Sequence, residues 1–338
     1  MKLNPRLLLS IPMALAVAAS TAVAQTKEVT IAYQDMIVPY RVAQSAGAIE
    51  KATGYKIAWK QFAGGGDVIK AMASGQVPLG EAGSSPITAA AAQGIDIQVI
   101  WVLDDINNAE QLIASKKSGI KTLADLKGKK VATPFVSTAH YQLLFALNKA
   151  GVNPKEIQIL NLRPPEIAAA WERGDLDATF IWEPVLSKVK ADGTLITSSA
   201  DVGKQGAPTF DGIIANRAWA AQHKDFVTGF VKIMAQADAD YRANPGKYAK
   251  GSDNAAAIAK VVGAKPDDVP AVLADYAFPT AAEQASDKWL GGGANGGVAK
   301  ALANTAQFLL EQKRITEVPK DFGKFVNPEF AAAAAAAK

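Results

Sequence analysis

The chain has 338 residues, a formal net charge of +4, 49 % hydrophobic residues, no cysteine and two histidines. Without cysteine there is no disulfide, no thiol catalysis and no Cys-ligated zinc, and His140 and His223 alone cannot build a His-rich metal centre, so neither metal nor cofactor is expected. A near-balanced charge with no basic run argues against nucleic acid as a partner.

In chain order, residues 1–24 read first as a signal peptide. Lys2 and Arg6 form a basic start, "LLLSIPMALAVAAS" a short apolar core, and "AVA" at Ala22–Ala24 a small-residue cleavage signal. Their removal takes two cations from the +4 chain and leaves +2. No later stretch reaches about 20 uninterrupted apolar residues. The expectation is a soluble, exported monomer, periplasmic in a Gram-negative cell. About 310 residues remain, more than one usual core, so two lobes are expected.

"EVTIAY" (Glu28–Tyr33) alternates as a strand, followed by a helical segment at Pro39–Thr53 and a strand at Lys56–Phe62. "GGG" at Gly64–Gly66 turns into a short helix that Asp67 would cap. "VPLGEAG" is a short strand, and "GSSPITAAAAQG" opens a helix in which Ser84 or Ser85 would be N-cap and Pro86 the first helical residue. Ile95–Leu103 is another strand. Near "DDINNAEQLIAS" the character changes, and strands and helices alternate again from Lys116 to about Gly206, including a helix opened by Ser137 and Thr138. "PTFDGIIAN" is a strand, and Arg217–Gln312 is mostly helical. This alternation implies α/β lobes with mostly parallel sheets. The terminal "AAAAAAAK" is low complexity.

Ligands of open α/β sheets bind at the carboxyl ends of strands. Both hydroxyl-bearing helix starts sit there, one in each half, together with Gln34 and Trp182. A helix N-terminus offers free N–H groups and partial positive charge, a natural place for an anion. Either start alone is more simply an ordinary cap. Their matched placement favours a shared cleft.

Four stretches carry a resemblance: "GSSP", "GKKVATPFVSTAHYQLLFAL", "NLRPPEIAAAWERGDLDATFIWEP" and "GAPTFD". From about Val29 to Phe330 the chain resembles the periplasmic taurine-binding proteins of ABC importers, which are related to alkanesulfonate, nitrate and thiamine-precursor binders. The resemblance implies an α/β fold of the periplasmic binding protein-like type II, two lobes joined by a two-crossover hinge. Lobe one would take residues 25–110 plus 212–330, lobe two 111–211, and 331–338 would be a tail. It implies capture of taurine and delivery to a membrane permease, without chemistry.

A sulfonate accepts hydrogen bonds only, so Ser84, Ser85, Thr138 and His140 are its candidate donors, with helix N–H groups. The ammonium of taurine asks for a carboxylate or an aromatic face. Asp211 is the first candidate, Glu110 the second, and Trp182 would pack on the ligand. Each has a plainer reading: Asp211 as a turn cap, Glu110 paired with Lys116 or Lys117 on the surface, Trp182 as core, His140 as capping donor, Gln34 satisfying loop backbone. Tyr141, Trp171 and Trp59 read as core, and Glu81 and Glu183 as solvated carboxylates. Other alkanesulfonates or a thiamine precursor remain alternative ligands. An extracytoplasmic hydrolase is disfavoured, because Ser137 and His140 share one helix start and "GSSPI" is not a nucleophile elbow. "GGGANGG" (Gly291–Gly297) lacks the Lys-Ser/Thr of a phosphate loop and reads as a flexible surface loop.

Overall fold

The computed structural model describes residues 27–337, so the expected signal peptide lies outside the described residues. In chain order the strands are β1 (Glu28–Tyr33), β2 (Lys56–Gln61), β3 (Leu79–Gly83), β4 (Ile97–Asp105), β5 (Gln111–Ser115), β6 (Lys130–Thr133), β7 (Gln158–Asn161), β8 (Ala178–Ile181), β9 (Gly193–Ser198) and β10 (Phe210–Asn216). They form two five-stranded sheets, ordered β2-β1-β3-β10-β4 and β7-β6-β8-β5-β9. The chain leaves the first sheet after Asp105, enters the second at Gln111 and returns to the first at Phe210.

The sheets are mixed, not mostly parallel as the alternation suggested. In the first, β1 pairs parallel with β2 and β3, while β10 runs antiparallel to β3 and β4. In the second, β6 pairs parallel with β7 and β8, while β5 runs antiparallel to β8 and β9. The reason lies in the crossovers. β5 and β10 are the first strands after a crossing, so each starts at the boundary between the sheets and runs away from it. Their neighbours β3, β4 and β8 end at that boundary.

The helices are α1 (Arg41–Ser45), α2 (Ala48–Thr53), α3 (Gly65–Ala73), α4 (Ser84–Ala92), α5 (Thr138–Lys149), α6 (Pro164–Glu172), α7 (Val185–Lys190), α8 (Ser199–Lys204), α9 (Arg217–Gln222), α10 (Lys224–Ala243), α11 (Asp253–Val262), α12 (Val269–Asp275), α13 (Ala281–Ala285), α14 (Gly297–Glu311) and α15 (Glu329–Ala335). Each sheet anchors its own apolar core, one around Ile31, Leu79, Trp101 and Phe230, the other around Leu112, Leu147 and Phe180. A small third cluster joins α5, α8 and α14, where Tyr141 meets Phe308 edge-on at 5.1 Å. It lies between the two bodies and holds them together.

Several local expectations shift. Gly83 is the N-cap of α4, so Ser84, Ser85 and Pro86 are its first three residues. Gly64, not Asp67, precedes α3. The glycine run is not a free loop: a Cβ on Gly296 would lie 2.0 Å from the Gly291 carbonyl oxygen, so backbone packs on backbone there. The alanine-rich end forms α15, with Phe330, Ala331 and Ala334 buried against α10 and α13. Tyr141 and Trp171 are core as expected, and Trp59 is half-buried.

Candidate functional site

A small, closely walled pocket opens where the strand ends of both sheets meet. Of the residues singled out in the sequence as ligand contacts, Gln34, Glu110, Thr138, Trp182 and Asp211 line it, and Ser84, Ser85 and His140 do not. Met36, Gly65, Gly83, Pro86, Ser137 and Tyr276 line it too, and the sequence reading did not single them out as ligand contacts.

One end of the pocket is acidic. Glu110 is buried rather than paired with Lys116 or Lys117 at the surface, and it accepts the Thr138 hydroxyl at 2.5 Å and that of Ser199 at 3.5 Å. The Thr138 hydroxyl is thereby committed to a carboxylate. Asp211 is the second residue of β10 and is 7 % exposed. Burial raises Glu110 to about 8, with the nearby Asp211 adding to the rise. Burial likewise raises Asp211. Tyr276, which follows α12, places its phenol among Asp104, Asp211, Glu110 and Glu183. No Lys or Arg lines the pocket among the described residues. Buried carboxylates without a cation are costly unless a proton or a cationic ligand joins them.

The other end is a helix start. No side chain caps α4. The hydroxyls of Ser84 and Ser85 are buried without a hydrogen-bond partner, between the lining residues Gly83 and Pro86. Ser137 caps α5, accepting the His140 N–H at 3.0 Å and donating to the Pro134 carbonyl at 2.6 Å. His140 itself stands outside the lining. Its Nδ1 accepts the Val136 N–H at 3.3 Å, and its ring stacks on Phe135 at 4.5 Å. Burial lowers it to about 3, so it is a neutral imidazole. Val136 is β-branched and sits at φ 64°, a strained backbone that needs such support. His140 therefore props the loop that delivers Ser137 and Thr138.

The wall between these ends is clamped by a pair the sequence reading missed. Glu81 is neither solvated nor aimed at a ligand. It receives Arg41 Nη1 at 2.8 Å and Nη2 at 2.7 Å, the Gln34 N–H at 2.9 Å and the Tyr40 hydroxyl. Both side chains of the pair are fully buried. Burial raises Glu81, against the pull of the Gln34 N–H, and burial lowers Arg41 to about 9; the bidentate, charge-assisted geometry is what favours the charged form of both. Arg41 also donates to the carbonyls of Gln34 and Met36, which fixes the loop after β1. The Gln34 side chain donates to the Glu81 carbonyl at 3.2 Å, so it satisfies loop backbone and lines the pocket at once. Across the cleft, the Trp182 indole lies beside Asp35, which burial raises to about 6. Glu183 is buried as well, accepting the N–H and hydroxyl of Ser187 at 2.9 Å in the first turns of α7.

The NMT1/THI5-like family pattern matches residues 37–248. The chain is 37 % identical over 307 residues to the taurine-binding periplasmic protein of Escherichia coli (strain K12), covering 91 % of this chain and 93 % of that one. It is 32 % identical over 253 residues to the putative aliphatic sulfonates-binding protein of the same organism, covering 74 % and 76 %. Among solved structures it superposes on the periplasmic aliphatic sulphonate binding protein SsuA from Escherichia coli with a TM-score of 0.71, 26 % identity and coverage of 90 % and 92 %. The alkanesulfonate-binding protein SsuA from Xanthomonas axonopodis pv. citri, bound to MOPS, gives a TM-score of 0.71 at 27 % identity, covering 92 % and 98 %. Two mixed sheets that meet at their strand ends, and a match running through both, identify the chain as a member of the NMT1/THI5-like family with the periplasmic binding protein fold.

Proposed function

We propose that the protein is the extracytoplasmic solute-binding component of an ABC importer, that it captures taurine between its two lobes (residues 25–110 with 212–330, and 111–211), and that it hands the ligand to a membrane permease. The observation that carries this reading is the buried Glu110–Asp211 pair, which lines the pocket with no basic side chain beside it. An ammonium supplies the missing charge. The sulfonate then reaches the uncapped start of α4, where Ser84 and Ser85 offer N–H groups and unpartnered hydroxyls. Trp182 and Met36 cover the ethylene between them. Likeness to the taurine-binding relative supports the same ligand, and the expected signal peptide supports the location.

The test is a thermal-shift and calorimetric comparison of taurine, ethanesulfonate and a thiamine precursor. Taurine at 100 times its dissociation constant is expected to stabilise the protein by about 2.7 kcal/mol. A shift with the thiamine precursor and none with taurine would overturn the reading.

Acidity gives a second expected result. Burial raises Glu110 from 4.5 to about 8 and Asp211 from 3.8 to about 7. An ammonium needs them ionised, so taurine binding releases protons near neutral pH. Affinity falls as the pH drops from 8 to 6, by up to about tenfold per unit for each proton displaced. Without ligand, the folded chain holds these protons more tightly than the unfolded chain. Stability therefore declines as pH rises from about 4 to about 8, by roughly 1 kcal/mol per unit per group. The taurine-induced shift in melting temperature should grow over the same window. A flat affinity from pH 6 to pH 8 would show that these carboxyls do not meet the amine.

Closure supplies a third. A Cβ on Gly83 would lie 2.7 Å from Thr138 Cγ2 and 3.1 Å from Asp211 Oδ1. Thr138 belongs to the opposite lobe, so bulk at Gly83 pushes the lobes apart. Gly83→Val is expected to fold, with a radius of gyration that taurine no longer reduces and an affinity at least tenfold weaker. Unchanged compaction in small-angle scattering would refute this.

A further inference from the structure

The acidic end of β4, "LDDIN", has one member without a role in the site so far. The β4–β10 ladder sets Asp211 directly opposite Asp104, with a bulge immediately after Asp211. Directly opposed residues of antiparallel strands hold their Cβ atoms about 4.5–5.5 Å apart, and like charges there repel. Asp104 is fully buried, and neither of its carboxyl oxygens receives a hydrogen bond among the described residues. Its carboxyl lies within hydrogen-bonding reach of Asp211. The other ionisable groups whose field reaches it are acidic too, Asp105 on its own strand and Asp238 on α10, with the Tyr276 phenol nearby. The nearby cations are engaged elsewhere, Arg242 with the carbonyls of Phe278 and Pro279 and Lys288 with Glu283. A carboxylate here would have no donor and no counter-charge, whereas two opposed carboxyls sharing one proton satisfy each other.

We propose that Asp104 is kept as the neutral acid and donates its O–H to a carboxylate oxygen of Asp211, so that Asp104 orients Asp211 and holds the pair at a single negative charge. This rests on the reading of Asp211 as the ammonium partner. Asp104 is a positioning residue: it does not line the pocket, and it acts on the ligand only through Asp211. The direction of the shifts agrees with that assignment. Burial raises both carboxyls, and the hydrogen bond between them raises Asp104 further while lowering Asp211, as donor and acceptor require. The consequence is specificity by charge count. A lone ammonium meets Glu110 and one shared charge rather than three full negative charges.

The test uses the mature protein at pH 8 with and without taurine. Infrared difference spectra of wild type against Asp104→Asn are expected to show a protonated-carboxyl carbonyl band that the substitution removes and taurine leaves in place. Asp104→Leu removes the donor. It should weaken taurine at least tenfold and move the pH midpoint of affinity upward, because Asp211 then loses its stabilising hydrogen bond. Asp104→Asn restores an N–H donor, and should recover both affinity and midpoint. Absence of the band overturns the proposal. So does an Asp104→Asn affinity as poor as that of Asp211→Asn, which would mean that the ammonium needs a charge on Asp104. If Asp104→Leu does not fold, the infrared comparison and the Asn variant still decide. If wild type shows the band and binds no taurine, the taurine reading falls while the neutral state of Asp104 stands.

Discussion

Asp211→Asn is expected to weaken taurine by a hundredfold or more and to leave ethanesulfonate as tight as in wild type or tighter. The two ligands share the sulfonate and nearly the same chain, and differ in the ammonium. Asp211 lines the pocket, is all but buried and has a carboxylate neighbour in Glu110. Removing one partner of a buried, hydrogen-bonded charge pair costs roughly 3–5 kcal/mol, which is about two to four decades in affinity. Asn keeps the shape and loses the charge, so the loss reports electrostatics more than packing. Ethanesulfonate brings no cation. It enters the wild-type pocket only with the carboxyls protonated, and burial already favours that state for Glu110 up to about pH 8. Wild type should therefore discriminate in favour of taurine more sharply at pH 8 than at pH 6, and the variant should keep only the part of that pH dependence that Glu110 supplies. Calorimetry with both ligands at both pH values reads all four numbers. Equal affinity of wild type for the two ligands would remove the amine site and leave a general sulfonate binder.

The parts of this site legible in the sequence were those written in local signals. The Ser-Thr start of α5, the strand ends at Gln34 and Trp182, and the Thr-Phe-Asp at the return crossing each follow from capping chemistry, alternation or the position of a turn. What escaped depended on residues far apart in the chain. Tyr276 reaches the pocket from beyond α12 with no motif around it. Arg41 and Glu81 are 40 positions apart, and a lone Arg or Glu in a sequence reads as solvated until a fold buries both. β5 was hidden because "QLIAS" follows directly on polar crossover residues, and a strand of five gives little periodicity. The antiparallel strands followed from the same gap: without β5, the second sheet reads as a plain parallel alternation. The cap of α4 moved by one residue because Gly83 has no side chain to announce it, and a bare cap leaves the helix start free for a ligand. His140 was assigned to the anion because it sits beside the right residues. Its partner is the strained Val136 instead.

The Arg41–Glu81 clamp predicts a separation of stability from binding. Arg41→Met leaves Glu81 buried at 0 % exposure with its main counter-charge gone. Breaking a buried pair in this way costs about 3–5 kcal/mol, a large share of the stability of an ordinary domain. Urea unfolding should show that loss in the midpoint with little change in slope. Arg41→Met combined with Glu81→Leu removes both charges. Apolar replacement of a buried ion pair is often neutral, so the double variant should recover most of the lost stability. It should not recover binding. The Gln34 N–H and the carbonyls of Gln34 and Met36 lose the partners that fix them, and these two residues form a wall of the pocket. Taurine affinity in the double variant is therefore expected to stay at least tenfold below wild type. A double variant that binds as wild type would reduce the pair to scaffold. A single variant that loses less than about 1 kcal/mol would mean that the two groups are not held as an ion pair at all.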